Sequence, residues 1–240
     1  MIDDVTTGPT MGIRRGGQGL ALLAAPWAFV VANTAQVLTA DGQDDTTARG
    51  AILVSAAHPL ADKWFTFVAM AGCLLMVPAV LGAMSLVRVP AARLGLIGGA
   101  LMIAGYICYF GLLFQGYATI ALAQHGGATP DNVAVQDLTM NQGFFVGVAL
   151  TFIAGNLIGT LLLGLALLRS HVVPLWAGLC ILAWPVLHLL GGPWGEVAGA
   201  LLQAVGLGVV GWRLLRRSGT DVAASTRPDP AQPSAVPSGQ

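Results

Sequence analysis

Glu196 is the only glutamate in the 240-residue chain, and it follows Trp194-Gly195 at the head of a long apolar run. Carboxylic acids and histidines are the usual side chains for moving protons, and few stand near this chain's apolar segments. Asp62 precedes a second apolar run, His58 stands just before it in a His-Pro pair, and His188 lies inside a third. Read as chemistry, Glu196 or Asp62 is an acid whose proton an apolar surround retains for a substrate, with His58 or His188 as a hydrogen-bonded partner. Read as structure, Glu196 complements a helix dipole and Asp62 is a first-turn acid or cap. His58 is then a solvated loop residue, and His188 a core histidine bonded to a backbone carbonyl. Both readings stand at the level of sequence.

Aromatic residues gather near the same groups. Tyr106, Tyr109, Phe110, Phe114 and Tyr117 share one face at helical spacing. With Gln115, Trp184 and Trp194 they could line an apolar ligand, and ring faces would stabilise a cationic intermediate. The same residues also suit an interfacial aromatic belt with ordinary packing.

Metal and haem chemistry finds little support. Cys73, Cys108 and Cys180 all lie in apolar segments, without CxxC spacing. His171 and His188 are 17 positions apart on one expected helix, about 25 Å, and cannot share an iron. No metal and no cofactor is expected.

The elements that must carry these groups follow from composition. Hydrophobic residues make up 55% of the chain and charged residues 9%, with mean hydropathy +0.75. Soluble domains carry about 25% charged residues, so lipid is the expected solvent. With net charge zero and no long basic run, nucleic-acid binding is set aside.

Six apolar segments are expected to be transmembrane helices: 19–38, 64–87, 94–122, 143–168, 172–190 and 197–215. The first is read as a retained helix rather than a signal peptide. The fold class is therefore all-α, a polytopic bundle over 17–217, with disordered segments at 1–16 and 218–240. Six spans put Arg14, Arg15, Arg88, Arg93, Arg169, Arg213, Arg216, Arg217 and Arg227 on one side, against Arg49 and Lys63 on the other. The positive-inside rule then places both termini in the cytoplasm of a plasma-membrane protein. Segment four carries Gly143, Gly147, Thr151, Gly155 and Gly159 at four-residue intervals, expected as one packing stripe. On this layout Glu196, Asp62, His58 and His188 all lie toward the outer side.

Two stretches carry a resemblance: AHPLADKWFTFVAMAGCLLMVPAVLGAMSLVR and LLRSHVVPLWAGLCILAW, with LGLIGGALMIAGY between them. They resemble a broad family of small six-helix membrane proteins from actinobacteria. That family is similar in size and hydropathy to integral-membrane terpene cyclases, including bacterial ones of drimentine- and xiamycin-type indole terpenoid pathways. The resemblance implies protonation of an olefin or epoxide followed by polyene cyclisation. The fungal branch has a Trp-Glu pair in an early helix; here the nearest equivalent is Trp194-Gly195-Glu196, in a late segment, so no residue is carried over.

The expected function is a membrane terpene cyclase. Glu196 or Asp62 protonates a farnesyl chain on an apolar, indole-type substrate, with His58 or His188 assisting. Tyr106, Tyr109, Phe110, Gln115, Tyr117, Trp184 and Trp194 would line the substrate. The alternative is a non-enzymatic membrane protein that binds or exports an apolar compound or scaffolds a partner.

Overall fold

The computed structural model describes residues 9–40, 42–44 and 46–225, with side chains over 12–217. The described residues form eight α-helices: α1 Pro9–Thr39, α2 Ala48–Ala57, α3 Pro59–Leu86, α4 Ala92–Gln124, α5 Pro130–Met140, α6 Gly143–Arg169, α7 Leu175–Leu190 and α8 Gly192–Ser225. A 3-10 turn, Val89–Ala91, joins α3 to α4, and no strand occurs among the described residues. Helices α1, α3, α4, α6 and α8 are long and apolar enough to cross a membrane. The chain is a membrane protein. Helix α7 is apolar but shorter, with 16 residues, about 24 Å long.

Six helices close into an up-and-down ring in the order α1, α3, α4, α6, α7, α8. Glycines mark the seams. Gly82 of α3 sits against Gln18 and Leu22 of α1, and Gly72 against Phe29, so these two helices run antiparallel. Gly105 meets Gly155 across α4 and α6 while Gly159 meets Met102, again antiparallel. Gly199 lies against Trp184 and Gly206 against Ala177, which sets α8 antiparallel to α7, and Gly211 against the Gly19 carbonyl closes the ring onto α1. Small residues permit this backbone approach where lipid supplies no hydrophobic drive between helices. Leu74, Leu96, Ile107, Leu150 and Leu179 point outward, as a lipid-facing rim requires.

The connections separate the two ends of the ring. At one end short turns join α3 to α4 and α6 to α7, and the described arginines 14, 15, 88, 93, 169, 213, 216 and 217 gather there. Arg213 donates from Nη1 to the Val172 carbonyl, pinning α8 to the α6–α7 turn. The other end carries Arg49 and Lys63 and is capped by α2 and α5. Gln136 of α5 donates from Nε2 to Thr119 Oγ1 of α4 at 2.9 Å, and Ser55 of α2 donates to Asp62 of α3 at 2.5 Å.

Three expectations need correction. Helix α1 begins at Pro9 and α8 runs to Ser225, so 9–16 and 218–225 are helical; the rest of the expected disordered segments, and Arg227, lie outside the described residues. The polar stretch over 125–142, which the six-segment layout leaves as a loop, contains α5, started by Thr129 as N-cap and Pro130 in the first turn. The small-residue stripe of α6 is not one packing face: Gly155 and Gly159 touch α4, whereas Gly143 and Gly147 face open space.

Candidate functional site

The ring encloses a cavity of about 150 Å³ toward its capped end. Each bordering helix contributes through a regular spacing on one face. Helix α1 brings Phe29, Asn33 and Gln36; α4 brings Tyr106 and Tyr109; α6 brings Phe152 and Asn156; α7 brings Trp184 and His188; α8 brings Glu196 and Gln203. Offsets of three, four and seven place such residues on the same helical face.

Glu196 and His188 meet at this cavity. His188 Nδ1 stands 3.5 Å from Glu196 Oε1, and the two side chains are 27% and 39% exposed. That separation is longer than an ordinary hydrogen bond. Glu196 is the fifth residue of α8, and the first turn contains no acid. It therefore lies past the orphan N–H groups that a dipole-complementing residue would serve. Gly192 makes this placement possible. Its φ of 59° turns the chain tightly from α7 into α8, and Gly195 lies against the Leu187 carbonyl.

Aromatic rings form the wall. Tyr109 stacks on Phe152 at 4.2 Å and 10°, Phe29 tilts against Tyr106 at 5.2 Å, and Trp184 stacks on His188 at 5.0 Å. The deeper end is polar. Asn156 Oδ1 and Gln203 Nε2 are buried without a hydrogen-bond partner among the described residues. The Gln203 side chain lies near the Tyr106 hydroxyl but makes no hydrogen bond from Nε2.

A second cavity, of about 240 Å³, adjoins the first at the capped end. Asn33, Gln36 and Tyr109 line both. Asp62, Ser55, Thr66 and Thr119 surround the second one, so Asp62 stands in the outer chamber rather than beside Glu196. His58 is half-buried where α2 breaks into α3, and its carbonyl accepts from the Asp62 N–H at 2.9 Å.

No family model, curated protein or solved structure matches the chain. The functional reading rests on the residues themselves.

Of the expected substrate-lining residues, Tyr106, Tyr109 and Trp184 border the inner cavity. Phe110, Gln115, Tyr117 and Trp194 do not. Phe110 packs on the hydrophobic core, Tyr117 meets Phe114 edge-on at 6.3 Å, Gln115 is half-buried, and Trp194 is exposed. Phe29, Phe152, Asn33, Gln36, Asn156 and Gln203 complete the lining, and none of them is among the residues expected to meet a ligand. The signal for them was an aromatic residue followed one turn later by a polar one: Phe29–Asn33, Phe152–Asn156 and, for the histidine, Trp184–His188.

Proposed function

We propose that the chain crosses the plasma membrane six times with both termini in the cytoplasm, and that its inner cavity cyclises a prenyl chain on an apolar substrate. The antiparallel ring supports six crossings, α7 included, and the arginine-rich end supports the orientation. One observation carries the chemistry: the lone glutamate and a histidine share a cavity walled by Phe29, Tyr106, Tyr109, Phe152 and Trp184.

In this reading the protonated Glu196 carboxyl gives its proton to the terminal double bond, forming a C–H bond and leaving a tertiary cation. Neighbouring double bonds close onto the cation, whose charge the ring faces stabilise. The last cation loses a proton to the His188 imidazole, and His188 returns it to the Glu196 carboxylate. The product is an isomer of the substrate, so no oxidant or cofactor enters the balance. No Lys or Arg lines either chamber, which favours proton initiation over a bound diphosphate as leaving group. The substrate reaches the cavity from the bilayer, and Asp62 stands on the aqueous approach.

Membranes carrying wild type or Glu196→Gln, incubated with a farnesylated indole, test this. Wild type should yield cyclised isomers and Glu196→Gln essentially none. Full conversion by the variant, or no conversion by wild type, overturns the reading.

The inner cavity's size supports a second reading, in which the protein binds a small apolar compound without changing it. Its volume of about 150 Å³ is below the roughly 300–1,000 Å³ of drug-sized sites. A Glu196→Gln variant that still binds ligand, in a protein whose wild type returns it unaltered, would establish this alternative.

A further inference from the structure

We infer that the inner cavity takes an uncharged ligand, with its hydrogen-bonding group held deep by Asn156 and Gln203 and its hydrocarbon body reaching up to Glu196. This rests on the reading of the cavity as a substrate site, and names which end of the substrate goes in first.

Two unpartnered amide atoms carry the inference. Asn156 is 4% exposed and Gln203 3%, and both border the cavity. A buried polar group without a partner is destabilising, and a membrane interior supplies no bulk water to relieve it. One orphan accepts and the other donates. A hydroxyl group, which both gives and receives a hydrogen bond, satisfies the pair.

Depth sets the length. Gln203 lies two turns below Glu196 on the same face of α8, about 10 Å along the axis. Aromatic side chains occupy the interval, which suits an unsaturated hydrocarbon body. The only ionisable carboxyl or imidazole groups in the lining, Glu196 and His188, are both at the upper end. A charged group at the floor would be buried without a counter-ion, so the deep group is neutral.

Geraniol has this form: a branched chain with two double bonds and a terminal hydroxyl. Geranyl methyl ether keeps the body and the accepting oxygen but cannot donate. The full chain in lipid nanodiscs would be titrated with each, following the rise in melting temperature. Comparing variants in one lipid cancels the probe's partition into the bilayer. Wild type should bind geraniol about fivefold or more tightly than the ether, the worth of one hydrogen bond. Asn156→Leu should erase that preference, because its oxygen takes the hydroxyl proton. Gln203→Leu should weaken both probes alike. Leucine at either position removes one unsatisfied polar atom, so each variant should stay folded, which its ligand-free melting temperature would show.

Equal binding of alcohol and ether by wild type, binding of neither, or a preference that survives Asn156→Leu would overturn the inference and assign the amides to trapped water. The cyclase reading fails separately. Geraniol preference without cyclisation of a farnesylated indole sinks that reading alone; cyclisation without the preference sinks this one alone.

Discussion

The Trp184 indole lies almost flat on the His188 imidazole, with centroids 5.0 Å apart and planes 13° from parallel. One turn of α7 separates them, with Pro185 between. Trp184 is buried and His188 partly open to the cavity mouth, so the fixed indole sets the plane of the imidazole and the aim of Nδ1 toward Glu196. Trp184→Phe keeps a ring under the imidazole and should retain most turnover. Trp184→Leu keeps apolar bulk without a ring and should lower kcat about tenfold or more, as misplacement of a proton-transfer group does. Steady-state kinetics on a farnesylated indole would show it; equal rates for the two variants would remove any positioning role from the stack.

The α4–α6 seam is where the ring should be least tolerant. A methyl group on Gly155 would stand 2.8 Å from Gly105 Cα, and one on Gly159 would stand 2.7 Å from the Met102 nitrogen. Backbone cannot swing aside as a side chain can. Gly155→Ala and Gly159→Ala should each cost about 1–3 kcal/mol, the usual price of overpacking. Gly147→Ala meets nothing within 4 Å and should be neutral or slightly stabilising, because alanine favours helix over glycine by about 1 kcal/mol. Thermal unfolding of the three variants in one detergent would rank them.

This contrast shows what the sequence could and could not say. The six ring helices were legible because each is a long apolar run, and α7 was legible despite its length because the runs alternate with polar turns. The four-residue repeat from Gly143 to Gly159 could not reveal which glycines meet a partner, because α4 crosses α6 along only part of its length. Helix α5 is hidden in the sequence although Thr129-Pro130-Asp131 is a helix-start signal, because the 125–142 stretch is too polar to carry the apolar periodicity of a membrane helix. At the site, Glu196 and His188 were legible as rare ionisable groups in apolar surroundings. Their meeting was not, because it depends on the tight turn at Gly192. Asn156 and Gln203 stand out only in the folded ring, where both border the same cavity, each with an unpartnered amide atom.

The loop into α2 should weaken in acid. The Asp44 carboxylate accepts from the Thr46 hydroxyl at 2.5 Å and from the Thr46 N–H at 3.1 Å, and these bonds hold its pKa below the ordinary value. A depressed carboxyl contributes stability above the unfolded pKa and loses it as pH falls through the folded one. The effect is local, because Asp44 is fully solvated. Thr46→Val removes the hydroxyl, the larger cause, and should move the Asp44 titration upward toward that of a free aspartate. NMR titration of the Asp44 carboxyl in both proteins would detect the shift; unchanged midpoints would mean that the turn does not persist in solution.

Helix α7 decides the topology, because its 16 residues are the weakest case for a crossing. If α7 crosses, the 3-10 turn after α3 and the end of α8 lie on the same side, and Lys63 lies on the other. If it does not, α8 begins on the wrong side and its terminal arginines face outward. Single cysteines at Val89, Arg216 and Lys63, in a chain with Cys73, Cys108 and Cys180 replaced by alanine, separate these cases. With six crossings, a membrane-impermeant maleimide should label Lys63→Cys in intact cells, and Val89→Cys and Arg216→Cys only after permeabilisation. Labelling of Arg216→Cys from outside, with Val89→Cys still protected, would reduce the spans to five. It would also break the antiparallel α7–α8 pairing that brings His188 to Glu196, and the proposed proton donor would fall with it.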